Sequence, residues 1–259
     1  SPSHRTAGAV KIKRATCRFI TDPAAQTAAV LSGDVDVFTR VTPRGAAQFK
    51  SNPRLQVLVS GSRAKTVLAI NNARKPLNDV RVRRALMHAI DRKAFIDGAL
   101  EGLGKPIGSH FAPTDAGYLD LTKTYPHDPE RARALLKEAG ITTPLAVTLT
   151  LPPPQYARKG GEIVAAQLAK VGITAKIQNV EWAQWLDAVY GKKNYDLTII
   201  SHVEPFDLGN WAKPDYYWGY TNPAFNKLFD QINNAPTTVE RARLLGEAQK
   251  MIANDAGAA

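Results

Sequence analysis

One cysteine, Cys17, stands among 259 residues, so the chain can close no internal disulfide and build no cysteine-held metal cluster. A lone cysteine selects neither a reducing nor an oxidising compartment. Lys11, Lys13 and Arg14 precede it where a lipid-anchored cysteine would need an apolar run, so a half-buried strand position is expected. No apolar stretch approaches the roughly 20 residues that cross a bilayer, and no basic, apolar, small-residue leader opens the chain. The opening SPSHRTAG has no initiator methionine, which reads as processing or excision from something longer. G-x-S-x-G, H-E-x-x-H, a P-loop and a G-x-G-x-x-G after a strand are all missing, which argues against an enzyme. The histidines His4, His88, His110, His127 and His202 are scattered singly, without paired metal-ligand spacing. Neither catalytic residues, a cofactor nor a metal site is expected.

What is present is an ordinary globular composition with surplus positive charge. Hydrophobic residues make up 44% and charged residues 22%, enough to fill the core of one large or two modest domains. The net charge of +11 raises the question of nucleic acid, but the basic residues are dispersed. Their densest group, Arg81, Arg83 and Arg84, is interleaved with core positions. The charge therefore reads as solubility and long-range attraction to anionic surfaces. No nucleic-acid partner is expected, and direct nucleic-acid binding is the lesser alternative.

Periodicity lays out alternating strands and helices. Strands are expected over 10–21, 34–38, 55–59, 66–70, 145–151, 173–180 and 195–200. Helices are expected to start at Asp22-Pro23, Thr42-Pro43, Asn78 or Asp79, Asp128-Pro129, Gly161, Asn222-Pro223 and Thr237. A further helical piece follows Asp91, and 101–125 reads as loop. In the third helix Val82, Ala85, Leu86, Ala89 and Ile90 fall on one face, with Arg81, Arg84, His88 and Asp91 elsewhere. Two helix-G-I-T-strand units, at Gly140-Ile141-Thr142 and Gly172-Ile173-Thr174, argue for a layered α/β lobe.

The stretch most suited to a ligand is 201–220, SHVEPFDLGNWAKPDYYWGY. It follows an apolar strand at its carboxyl end, where open α/β sheets place ligands. Phe206, Trp211, Tyr216, Tyr217, Trp218 and Tyr220 supply aromatic surface, and His202, Glu204, Asp207 and Asp215 supply polar groups. Trp218 and Tyr220 read as packing. Trp182 and Trp185 start their helix as core candidates, with Trp182 kept as a ligand contact.

The wording of several segments is more specific than their pattern. Asn72, Pro76, Asp79, Arg81, Val82, Arg83, Ala85, Ala89, Ile90, Asp91 and Arg92 form a phrase that closely resembles bacterial extracellular solute-binding proteins of family 5. These are the peptide- and nickel-type binding subunits of ABC importers. Leu31, Gly33, Asp34 and Asp36, the run Tyr125 to Gly140, and Glu181 to Leu186 leading into Tyr195 to Ile200 are similar to the same family.

The resemblance implies an α/β, two-lobed periplasmic binding protein fold of the type II-like, peptide-binding class, here incomplete at both ends. Residues 1–72 would be part of a first lobe and 73–259 most of the second, with Asn71 to Asn78 at the crossing. A small solute would be captured between lobes and delivered to permease subunits in the inner membrane by a periplasmic, monomeric protein. Glu204 or Asp207 would neutralise a cationic group, His202 would hydrogen-bond, Tyr216 or Tyr217 would stack, and Trp182 would touch the ligand. Peptide-binding relatives carry a W-x-x-D-Y-x-D-P-like phrase whose Asp meets the ligand's ammonium. Here S-H-V-E-P-F-D departs from it, which points away from a plain oligopeptide. A peptide-like, opine-like or amino-acid-derived solute, a sugar or a metal chelate stays open. The alternative implied is a solute-sensing domain of a transcriptional regulator.

Overall fold

The computed structural model describes Gly8 and residues 11–20, 22–39, 41 and 43–259. The chain divides into two compact units, 1–58 and 59–259. In the first, helix α1 (Pro23–Ser32) is capped by the Asp22 carboxylate, which accepts from the Ala25 N–H at 2.7 Å. It ends on Gly33 in the left-handed region. Helix α2 (Pro43–Lys50) follows. The strands expected over 10–21, 34–38 and 55–59 do not form among the described residues; Val10 and Thr21, like Thr42 before α2, lie outside them. Alternation supplies an apolar face, but a strand exists only when a neighbour completes its hydrogen-bond ladder. Without one, Ile12, Phe19, Val37, Leu58 and Val59 stay exposed, Phe19 to 97%. Cys17 is likewise exposed, not half-buried in a strand.

The second unit holds a four-stranded mixed sheet in the order β1-β4-β2-β3. Its strands are β1 (Lys65–Ile70), β2 (Leu145–Leu151), β3 (Ile173–Asn179) and β4 (Leu197–His202). β2 runs parallel to β3 and β4, while β1 runs antiparallel to β4. Both faces are covered, which explains the near-continuous apolar wording of β1 and β4. Leu68, Ile70, Leu149, Leu197 and Ile199 enter one core; Val67, Ala69 and Ile200 enter the other.

The first core is closed by α3 (Val80–Ala89), α5 (Pro129–Glu138) and α6 (Gln155–Ala169), while α4 (Arg92–Ala99) follows α3 and packs on α6. Val82, Ala85, Leu86 and Ala89 are the buried stripe that the spacing in α3 foretold. Arg83 is buried as well. α6 begins six residues before the expected Gly161, at Gln155, because the preceding proline run ends in an extended Pro154 that starts the helix. The second core is aromatic and closed by α8 (Pro223–Asn233) and α9 (Thr238–Asn254). No helix among the described residues is long and apolar enough to cross a membrane.

The two compact units meet at 58/59, and the lobe division expected at 72/73 is a different boundary. β1 hydrogen-bonds to β4, and Leu68 and Ile70 share a core with Leu77, Val82 and Leu86. Asn71 to Asn78 therefore folds inside the second unit. Its pattern of asparagines and proline reports a tight connection from strand to helix, whether or not the chain changes lobe there.

Candidate functional site

Sheet topology decides which side chains meet. β2, β3 and β4 share a carboxyl edge because they are parallel, and antiparallel β1 brings its first residue to that same edge. Lys65 pairs there with His202, the last residue of β4. β3 leads at this edge into the short helix α7 (Trp182–Trp185) and a π-helical turn, Leu186–Gly191. β4 leads into a loop and the 3₁₀ segment Asp207–Ala212. The loop reverses at Phe206, a non-glycine residue in the left-handed region at φ 57°. Such a conformation costs on the order of 1 kcal/mol. Beside it Phe206 is exposed and Asp207 is buried.

Asp207 sits in a closed polar cluster. Its Oδ1 lies 3.0 Å from the Lys65 ammonium and its Oδ2 lies 3.1 Å from His110 Nε2. Lys65 also donates to the Glu204 carbonyl at 3.0 Å. Neither contact of Asp207 meets strict hydrogen-bond geometry. Burial alone would raise the Asp207 carboxyl, but the His110 ring and the Lys65 ammonium outweigh it and hold it down at about 2. The His202 ring is the next layer: Nε2 is 2.9 Å from the Tyr217 hydroxyl, and Nδ1 is 3.8 Å from both Glu204 and Asp207. Burial, then His110, push the His202 imidazole down to about 4, so it is neutral at pH 7. Burial also drives the Tyr217 hydroxyl well up, and it stays protonated.

Ligand atoms of His202, Glu204 and Asp207 fall within 4.8 Å of one another, a spacing that could hold a metal ion. The donor set fits a cation poorly. Asp207 already has the Lys65 ammonium against one oxygen, and Glu204 is largely in water. Lys65 is the cation that this cluster is built around.

Outside the cluster the edge becomes aromatic. Trp182 meets Trp185 at 5.9 Å between ring centroids, Trp185 meets Tyr190 at 6.5 Å, and Tyr190 meets Tyr216 at 5.8 Å. Tyr216 in turn lies 4.3 Å from Trp218 and 6.5 Å from His202. Trp182 and Tyr190 are 43% and 47% exposed, and Leu186 between them is also exposed. The π-helical turn, a feature frequent at functional sites, is what brings Tyr190 against Tyr216 and Tyr217.

The six residues singled out from sequence thus separate into two groups. Tyr216 is half-buried, while Glu204 and Trp182 reach solvent. His202, Asp207 and Tyr217 are brought together but buried, as support beneath the surface. Asp207 is paired within the chain with Lys65 and His110. Tyr217 packs inside, with His202 parallel to it at 6.0 Å, so the stacking surface expected from it is taken up internally. Sequence reasoning missed Lys65, His110 and Tyr190. For Lys65 the available signal was a charge at the head of a strand apolar on both faces. A lone histidine in a long loop offered none.

The opposite edge of the sheet holds the signature segment. Asn72 Nδ2 lies within 3.1 Å of the carbonyls of Ile70, Trp218 and Gly257. Arg83 donates to the carbonyls of Leu77, Asn78 and Asp255. Gly219 closes this seam from the far side. Its φ is positive, and a Cβ there would meet the Ala73 Cβ at 2.9 Å. A polar depression of about 510 Å³ opens among Asn72, Asn78, Arg83, Arg84, Asn222 and Asp255. Its guanidinium groups are committed to main-chain carbonyls, so it is a seam of the fold.

Comparison with known proteins agrees with the resemblance. Residues 4–210 match the family described as bacterial extracellular solute-binding proteins, family 5 Middle. A dipeptide-binding protein of Escherichia coli is 33% identical over 170 residues, covering 64% of this chain and 32% of that protein. A heme-binding protein A of Haemophilus influenzae is 25% identical over 96% of this chain and 48% of its own length. The chain spans about half or less of the length of these relatives. Among solved structures, a periplasmic binding protein from Helicobacter pylori in complex with the peptide STSA superimposes with a TM-score of 0.84 at 26% identity, over 93% of this chain and 49% of that one. A binding protein from A. tumefaciens in complex with agropinic acid gives 0.81 at 25% identity, over 92% and 51%. The fold is thus the α/β fold of two-lobed periplasmic binding proteins.

Proposed function

Since the chain belongs to the bacterial extracellular solute-binding proteins of family 5, we propose that it supplies one wall of a solute-binding cleft in an ABC importer's binding subunit. The intact protein captures a small solute between two lobes outside the cytoplasmic membrane and presents it to permease subunits. No bond is made or broken. The reading assigns 59–259 to one lobe and 1–58 to part of the other, and takes the working form as a monomer.

The observation that carries the reading is the partly exposed aromatic run from Trp182 through Tyr190 to Tyr216, lying at the carboxyl edge of the sheet over a rigid polar cluster. Aromatic surface with a few placed polar groups is the make-up of a small-molecule site. Tyr216, Trp182 and Glu204 make the contacts in this reading, while His202, Tyr217 and Asp207 hold them in place.

The relatives bind dipeptides, heme or, in a solved complex, agropinic acid. We place the solute of this protein among small peptide-like or opine-like compounds. The test is mass spectrometry of what co-purifies with the full-length protein, followed by titration of that compound into the stripped protein. Tyr216→Ala should weaken binding about fivefold or more, in line with removal of a stacking interaction worth about 1 kcal/mol or more. Unchanged affinity in Tyr216→Ala and Trp182→Ala together would place the site elsewhere.

A further inference from the structure

A buried lysine beside a buried aspartate is an arrangement a binding site has little reason to carry unless the pair does something. Lys65 is 1% exposed at its side chain and Asp207 is 3% exposed. Both oxygens of the carboxylate face cationic or donor groups of the same chain, Oδ1 toward Lys65 and Oδ2 toward His110. Lys65 is also tied to the loop that carries Asp207, through its bond to the Glu204 carbonyl. The strand register holds it in place, since Lys65 is the residue opposite His202.

We propose that Lys65 is a specificity-determining residue of this site: as a built-in counter-cation it keeps the Asp207 carboxylate from receiving an ammonium group. A solute's own ammonium therefore finds no free carboxylate there. To enter, it would have to expel Lys65 and leave a second ammonium buried without a partner, which is strongly unfavourable. Glu204 does not replace Asp207 in this respect. Its carboxylate accepts from the Val203 N–H at 3.1 Å, lies 3.8 Å from His202 Nδ1 and is largely in water, where an ion pair is screened and weak. The solute class that follows is one that meets this edge with an uncharged group, through the aromatic run and hydrogen bonds. N-blocked or lactam-like compounds belong to it, and compounds recognised by a free ammonium at this position do not. That extension to the solute rests on the proposed function; the pairing of Lys65 with Asp207 does not.

The pairing can be tested without knowing the solute, by chemical rescue of the full-length protein. The probe is n-propylammonium chloride, with sodium chloride at equal ionic strength and n-propanol as controls, and the readout is melting temperature. The wild-type protein should show no saturable rise. Lys65→Ala should melt lower, and n-propylammonium, which replaces the deleted atoms, should return at least half of the loss in a saturable way. Lys65→Ala/Asp207→Asn should lose that response. The proposal is overturned if the wild-type protein is saturably stabilised by n-propylammonium through Asp207, or if Lys65→Ala folds and is not rescued. Should Lys65→Ala fail to fold, the wild-type arm decides alone. Failure here would leave solute binding standing, whereas absence of any bound solute would sink the proposed function and leave the rescue result intact.

Discussion

The two edges of one sheet use buried polar groups in opposite ways. At the signature edge, Asn72 and Arg83 spend their N–H groups on main-chain carbonyls from four separate stretches of chain. A side chain that satisfies fixed carbonyls rigidifies a fold and has little left to offer a ligand. At the carboxyl edge, Lys65, Asp207, His110 and His202 face one another, side chain to side chain, and the Asp207 oxygens, His110 Nε2 and the indole N–H groups of Trp211 and Trp218 make no hydrogen bond with good geometry among the described residues. Charge is balanced there but hydrogen-bonding capacity is not exhausted. The comparison teaches that the most recognisable segment of the chain is a lock, and that the candidate site is built from groups whose wording is ordinary.

The contrast is broken most severely at Lys65. Lys65→Met would leave a buried carboxylate without its cation, and we expect a loss of about 4 kcal/mol in urea unfolding at pH 7. Lys65→Met/Asp207→Asn should recover most of that loss, because a neutral amide needs no counter-ion. If the double variant were as unstable as the single one, the cluster would be held by packing and not by charge.

Arg83 tests the other edge. Arg83→Ala removes the donor from the carbonyls of Leu77, Asn78 and Asp255, and should cost on the order of 3 kcal/mol. The solute affinity of the folded fraction should stay within a factor of two. A large affinity loss with unchanged stability would reverse the roles assigned to the two edges.

The expected strand and helix order of the second unit was legible because its sheet is covered on both faces and its helices are capped by Asp79, Asp91, Asp128, Asn222 and Thr237. The segments 34–38 and 55–59 carry the same kind of alternation, yet periodicity says nothing about whether a partner strand is present. The site was half legible. Its aromatic density and its place after β4 could be read from 201–220. Lys65 could not be assigned to it, because its arrival depends on β1 running antiparallel to β4, and no local pattern encodes that pairing. Asp207 and Tyr217 lie beside the other residues of that stretch, but buried, which no local pattern encodes.

A third test separates the edges by pH. The folded-state pKa of His202 is lowered to about 4 by burial and then by His110, below the ordinary value of 6.5. Between those values the unfolded chain binds a proton that the folded chain refuses, so stability rises with pH across that window and falls as pH drops from about 6.5 toward 4. The His202 share of that fall should be about 2–3 kcal/mol. His202→Gln should flatten it. Asp207 acts lower: its depressed pKa contributes stability that is complete above 3.8 and is lost as pH falls through about 2. A pH profile of His202→Gln identical to wild type between 4 and 6.5 would mean that the ring is not held neutral in the fold.

The smallest effect on stability should come from Trp182, and it is the most diagnostic for function. Trp182 is 43% exposed and, among the described residues, its ring meets Trp185 in a T-shaped contact, so Trp182→Ala should change unfolding free energy by no more than about 0.5 kcal/mol. If the aromatic run is a ligand wall, the same change should weaken solute binding several-fold, because an interaction made only in the complex can be deleted without disturbing the free protein. A buried scaffold residue such as Tyr217 shows the opposite balance, with stability falling first. Stability and affinity measured on the same Trp182→Ala sample therefore discriminate a surface that meets solute from one that merely finishes a core, and equal small changes in both would remove Trp182 from the site.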